Sequence, residues 1–293
     1  MDRTKICCVT LAAALLASGC GKKQKPIVVG SKNFTEQVVL GEIIAQHLEH
    51  RLGRKVTRRF NLGGTLLSYQ ALLLGEITLY PEYTGTIDAE ILKEPPSGDA
   101  DQSYQFARQE LARRAQIDVL KPLGIDNVFA MVIRGSDARS LKIATLSEAA
   151  QAKTAWKLGA GYEFQGRLDG MPALNQYHLP IDSAPVAMDL GLMYKALDQG
   201  QVTMVAANLT DGPLLAHDWT VLTDDKHVFA SYQACILLRQ EAETDEPRLR
   251  PALEELSGKF TNEVMRKLNA AVDVDHHQPA QVAAQFLSDA GLK

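Results

Sequence analysis

Three stretches of this chain set glycines, hydroxyls, amides and charges at points where a strand signal gives way to a helix signal. "GSKNFTEQ", Gly30 to Gln37, places Lys32 and Asn33 just before a helix and Gln37 within its first turns. "GGTLL", from Gly63, puts two glycines and Thr65 in the same setting. "LYPEYTGT", Leu79 to Thr86, runs two tyrosines into a Thr-Gly-Thr. A helix start offers unpaired N–H groups and a partial positive charge, which favours a carboxylate. An aromatic ring beside it is what a cation needs. Taken singly, each stretch is an ordinary strand-to-helix turn, and Tyr80 and Tyr83 read equally well as packing residues. Their recurrence at the ends of consecutive strands points to a cleft.

Other chemistry has less support. The chain has no G-x-S-x-G, H-E-x-x-H, P-loop or C-x-x-C pattern. "GAGYEFQG", Gly159 to Gly166, begins like a dinucleotide fingerprint, but its third glycine comes two residues late, as in a turn. "VDVDHHQ", Val272 to Gln278, groups Asp273, Asp275, His276 and His277. Adjacent histidines point in different directions on most backbones, so this segment reads as a solvated connector rather than a metal site. We expect no cofactor and no metal.

The 293 residues suffice for two domains of ordinary size, and 46% apolar with 23% charged residues is a globular composition. A net charge of -4 without an internal basic block argues against a nucleic-acid partner. The N-terminus differs. Arg3 and Lys5 precede the apolar run Ile6 to Ala17, too short for a stable membrane span and of secretory-signal form. It ends in "LASGC", which resembles a bacterial lipobox with Cys20 as the lipidated first mature residue, although Ala17 stands where Leu is usual. The expectation is an exported, lipid-anchored protein with a signal over residues 1–19 and a tether over 20–26. Of four cysteines, Cys7 and Cys8 leave with the signal and Cys20 carries lipid. Cys235 alone remains, as a buried thiol in a strand-like run, so no internal disulfide forms.

The elements that must position these residues alternate. "IVVGS" is a short strand feeding a helix from about Phe34, in which Leu40, Ile44, Leu48 and Leu52 recur before Gly53 closes it. "KVTRRF" is the next strand. Thr65 then caps a helix ended by Gly75, "ITLY" is a third strand, and a helix begins near Thr86. A helix over Gln102 to Ala115 precedes the strand "NVFAMVIRG". Further strands are expected at "AWKLGA", "LPIDS", "TMVAA" and "WTVL", with a helix in "MDLGLMYKALDQG". After "SYQACILLRQ" the chain is helical to its end. Such alternation predicts an α/β fold with right-handed crossovers and mostly parallel sheets. Two α/β stretches suit two lobes with a ligand cleft at their strand ends.

The segments "VVGSKNFTEQVVLGEIIAQHLE", "NLGGTLLSYQALLLGEITLYPEYTGT", "GRLDGMPAL", "MDLGLMYKAL" and "LTDDKHVFASY" resemble, in order, the glycine betaine/choline/carnitine binding proteins of ABC importers, the osmoprotectant ProX/OpuC type. The resemblance covers about Ile27 to Lys293. It implies a type II periplasmic-binding-protein (Venus-flytrap) fold, not an enzyme. Lobe 1 would take residues 27–128 and 231–293 and lobe 2 residues 129–230. It also implies a small quaternary amine or zwitterion as ligand, an ABC permease as partner and a monomeric chain. Tyr83 and Thr86 match one ring and one carboxylate-side hydroxyl, and Lys32 and Gln37 line the same lobe. Arg167 answers from the other lobe, and Tyr232 matches a second ring. Three positions depart: Phe129 and Asn208 stand where Tyr is usual, and Asn127 where an acid is. The implied box is therefore Tyr83, Phe129, Asn208 and Tyr232, with three rings. As a cleft ring Tyr83 would support little of the core, whereas Tyr80, deeper in the strand, would support more.

Overall fold

A computed structural model describes residues 25–95 and 97–293. The signal segment, Cys20 and the tether up to residue 24 lie outside the described residues. No described helix is long and apolar enough to cross a membrane.

Two five-stranded sheets carry the fold. The first contains β1 (Val28–Gly30), β2 (Thr57–Arg59), β3 (Leu79–Tyr83), β4 (Ile117–Val119) and, from much later in the chain, β10 (Ala234–Arg239), in the order β2-β1-β3-β10-β4. The second contains β5 (Phe129–Arg134), β6 (Leu158–Ala160), β7 (Val186–Ala187), β8 (Met204–Asn208) and β9 (Trp219–Leu222), in the order β7-β6-β8-β5-β9. The chain crosses between sheets after β4 and returns after β9. These crossings correct the expectation of mostly parallel sheets. β10 arrives from the second sheet and runs antiparallel between β3 and β4, as β5 does between β8 and β9. Each sheet keeps two parallel pairings, β1 with β2 and β3 and β6 with β7 and β8.

Helix α1 (Thr35–Leu52) shows why the first sheet is firm. Leu40, Ile44, Leu48 and Leu52 form its fourth-residue row and are buried. Val39, Ile43 and Ala45 are buried as well, because the helices Leu249–Glu254 and Pro279–Asp289 cover its other side. Each fully buried Leu or Ile contributes roughly 1.5–3 kcal/mol over exposure. Gly53 ends the helix in the left-handed region at φ 66°, as its position predicts.

Some local expectations fail. α2 (Thr65–Leu73) is capped by Gly64, and Thr65 is its first residue. "LPIDS" contributes only an isolated bridge between Trp156 and Ile181. The edge of β6 is taken by Val186–Ala187 instead, and Pro180 has no N–H to extend a ladder. β4, three residues long, has no readable period. The helix after β3 begins at Thr84 and continues as a π-helix over Ile87–Leu92. Val272–Gln278 does connect two helices, Asn262–Asp273 and Pro279–Asp289. Cys235 is free and buried in β10.

Candidate binding cleft

Between the sheets lies a cavity of about 200 Å³. Lobe 1 supplies Lys32 and Phe34 from the β1–α1 turn, Gly64 and Thr65 from the start of α2, and Tyr83 and Thr86 from the end of β3. Asn127 and Tyr232 come from the two crossing segments, and Phe129 and Asn208 from β5 and β8. Glu163, Phe164 and Arg167 follow β6. Eight of the nine ligand residues expected from sequence thus line one cavity. Gln37 does not: it is fully buried, and its Oε1 accepts from the Lys32 backbone N–H at 3.3 Å, so it supports the turn rather than the cleft.

Ring geometry is tighter than the sequence implied. Phe129 meets Tyr232 edge-on at 5.5 Å between centroids and Phe164 edge-on at 5.2 Å. Tyr83 stacks with Phe34 at 6.5 Å and 19°. Phe34 and Phe164 therefore add two rings to Tyr83, Phe129 and Tyr232. Both stood inside the quoted motifs, but nothing in their spacing marked them as cavity-facing. Asn208, paired in register with Phe129, offers a partly exposed amide without a side-chain hydrogen bond among the described residues. Gly85 lets Tyr232 approach, since a Cβ there would fall 2.8 Å from both the Ser231 carbonyl and the Tyr232 ring.

Both cationic side chains are already paired. Lys32 Nζ lies 2.5 Å from Glu82 Oε1, 3.5 Å from Thr65 Oγ1 and 4.9 Å from the Tyr83 ring centroid. Arg167 donates to both oxygens of Asp169 at 2.9 and 2.5 Å, and to Thr86 Oγ1 in the facing lobe at 3.0 Å. Tyr232 donates to Asp169 at 2.6 Å. Glu163, also facing lobe 1, accepts from the Thr65 N–H at 3.1 Å. The lobes are thus in hydrogen-bond contact across the cavity.

Behind the wall sits Glu36, 3% exposed in the first turn of α1. It accepts from Tyr83 Oη at 2.7 Å and Asn127 Nδ2 at 3.1 Å on one oxygen, and from Asn269 Nδ2 at 3.1 Å and Thr210 Oγ1 on the other. Burial pushes its pKa up, and the four donors oppose that shift. Burial also pushes Asp211 up to about 7; its carboxylate accepts from Tyr194 Oη at 3.0 Å and from the Asn208 N–H. Tyr83 is 5% exposed and Tyr80 fully buried, so both belong to the core. Tyr83 therefore supports the fold as well as the cavity, contrary to the sequence expectation. Sequence reasoning missed Glu36, Glu82 and Asp169, because an acid in a first helical turn or beside an arginine is ordinary surface chemistry.

A family model described as the substrate binding domain of the ABC-type glycine betaine transport system, OpuAC, matches residues 25–289. A glycine-betaine-binding protein of Pseudomonas aeruginosa is 31% identical, with 94% of this chain and 91% of that protein aligned. An ergothioneine transport permease/ergothioneine binding protein of Helicobacter pylori (strain G27) is 32% identical over 92% of this chain, which spans 48% of that protein's length. A crystal structure described as a glycine betaine/carnitine/choline ABC transporter superposes with a TM-score of 0.76 at 25% identity, over 91% of this chain and 99% of the other. The described residues thus carry the two-lobed architecture of ABC-importer binding proteins, and the chain belongs to the OpuAC family of substrate-binding domains.

Proposed function

We propose that the cavity takes a compact quaternary ammonium compound or trimethylated zwitterion, such as glycine betaine, choline or carnitine, for delivery to a membrane permease. The observation that carries this reading is the ring-lined cavity itself. Tyr83, Phe129 and Tyr232, with Phe34 and Phe164, offer several π-faces to one small space. A desolvated quaternary cation gains up to about 2 kcal/mol or more from such a face. Thr86 and Arg167 are the partners for a carboxylate or hydroxyl, and Lys32 lines the same cavity.

A second reading is a larger betaine with a heteroaromatic ring, of the kind named for the Helicobacter relative. Asn208 favours it, because an amide hydrogen-bonds to a polar ring where an aromatic side chain would only stack. In either case the lobes, residues 27–128 with 231–293 and residues 129–230, close on the ligand by bending at the crossing segments. We further propose that the chain acts as a monomer tethered through lipid on Cys20.

A thermal-shift screen over glycine betaine, choline, carnitine, ergothioneine, amino acids and sugars tests the function. A ligand binding only the folded state adds about 2.7 kcal/mol at a hundredfold excess over Kd. Stabilisation by a quaternary amine is expected, and stabilisation by sugars or ordinary amino acids alone would overturn the proposal.

A further inference from the structure

Asn127 gives the cavity wall a neutral amide, and the acids that line the cavity, Glu163 and Asp189, come from the segments after β6 and β7. Glu36 lies one hydrogen bond behind that amide. Its Oε1 accepts from Asn127 Nδ2 at 3.1 Å and from Tyr83 Oη at 2.7 Å, and both donors line the cavity. Its Oε2 accepts from Thr210 and Asn269, which come from beyond β8 and from the C-terminal helices. None of the four donors is charged, and Glu36 has no ion-pair partner among the described residues. Glu82 and Asp169, by contrast, are neutralised by Lys32 and Arg167.

We propose that Glu36 is the counter-charge of the cation cavity, acting through Tyr83 and Asn127. The proposal rests on the quaternary-amine reading above. The amide NH2 groups of Asn127 and Asn269 can only donate, and with the Tyr83 and Thr210 hydroxyls the two oxygens together receive four hydrogen bonds, an arrangement made for an ionised carboxylate. A carboxylate buried without a cation is costly. A ligand cation on the cavity side of Tyr83 and Asn127 supplies the missing opposite charge at close range in a low-dielectric site. The hydroxyl bond to Glu36 also polarises Tyr83, making its ring face more negative. Glu36 does not touch the ligand. It is a positioning and charge-setting residue, and its effect is to favour a cation over a neutral molecule of the same shape.

Choline and 3,3-dimethylbutan-1-ol, which replaces the ammonium nitrogen with carbon, read that preference directly. Calorimetry on the full mature chain should show wild type binding choline much the better of the two. Glu36→Gln keeps the side-chain shape and removes the charge, so the choline preference should fall about tenfold while affinity for the neutral alcohol changes little. Glu36→Asp keeps the charge and disturbs the geometry; it should lose stability yet retain most of the preference. An unchanged ratio in Glu36→Gln overturns the proposal. Wild type binding neither choline nor any other quaternary amine overturns the functional reading instead. Should Glu36→Gln not fold, the wild-type ratio measured from pH 8 down to pH 4 decides. The groups facing Glu36 are Tyr83 and Asn127, Thr210 with the buried Asp211, and Asn269 with Asp273 and Arg266 on the C-terminal helix. The Lys32–Glu82 pair lies across the Tyr83 ring. Protonating Glu36, with Asp211 and Asp273 beside it, must lower the choline preference, and a ratio constant to pH 4 refutes the proposal.

Discussion

Tyr83→Ala is the perturbation whose two consequences the structure separates best. The ring lines the cavity, faces Lys32 Nζ at 4.9 Å and stacks on Phe34. Its removal takes one π-face from a bound cation, about 1–2 kcal/mol, so affinity should weaken about 5- to 30-fold. Yet Tyr83 is only 5% exposed and packs in the same core as Val29, Leu79 and Ile236. Truncating a buried aromatic costs about 3–5 kcal/mol, a loss that here includes one of four donors to Glu36. The melting temperature should drop on the order of 10 °C. Tyr83→Phe divides the effects. It keeps ring and packing but removes the hydroxyl, so stability should fall by about 1–3 kcal/mol while most of the cation affinity remains. Calorimetry with the tightest quaternary amine from the screen, beside melting curves, measures both quantities. If Tyr83→Ala melts lower as calculated and still binds that ligand like wild type, Tyr83 is packing alone and the site assignment is wrong.

Other consequences follow from single residues. Asn208→Tyr, opposite Phe129 in register, should tighten glycine betaine binding by about 1–2 kcal/mol if the cavity is built for small betaines; titration showing weaker binding would favour the larger heteroaromatic ligand. Cys20→Ser should release the exported protein from the membrane fraction, and mass spectrometry finding an unmodified mature N-terminus downstream of residue 20 would end the lipid-anchor proposal. Asp211 is raised by burial from 3.8 to about 7, so the folded state keeps a proton that the unfolded chain releases. Its contribution should therefore make the protein lose stability as pH rises from about 4 to about 7, and level off above. Asp211→Asn should flatten that slope relative to wild type in melting curves across pH; parallel curves would refute the assignment.

The parts of the fold that were legible are those written by local rules. α1 announces itself through Leu40, Ile44, Leu48 and Leu52 and stops at Gly53, and β3 and β5 are long enough to show their character. Sheet direction was not legible, because β10 joins β3 across about 150 intervening residues and no local signal records which way a returning strand runs. The two- and three-residue strands β4 and β7 are too short for any period. Within the site, eight of the residues announced by motifs line the cavity and Gln37 does not, while residues defined by depth were not foreseen. Gln37 and Glu36 are neighbours in "SKNFTEQ", and sequence gave no reason to place one under the Lys32 turn and the other behind the ring wall. Their places depend on the rotation of α1 against the C-terminal helices. That rotation is a packing result, set by Leu249, Phe286 and Leu287 far along the chain.

The pairing of Lys32 and Arg167 bears on what such a cavity can select. A free guanidinium would attract a carboxylate strongly and also any other small anion. Here Asp169 holds Arg167 in a bidentate pair, and Glu82 holds Lys32, both within buried surroundings. These pairs fix the two side chains in place before a ligand arrives, at the expense of their net charge. A ligand carboxylate bound as proposed would therefore gain oriented hydrogen bonds from Arg167 and Thr86 but little net Coulomb attraction. In the proposed complex the positive end would meet the opposite arrangement, ring faces backed by a Glu36 carboxylate that no cation among the described residues neutralises. Selectivity should then be dominated by the ammonium end, with the anionic end tuning affinity among molecules that already satisfy it. Loss of the Arg167 contacts should thus reorder betaines relative to choline, whereas loss of a ring should weaken the whole class together.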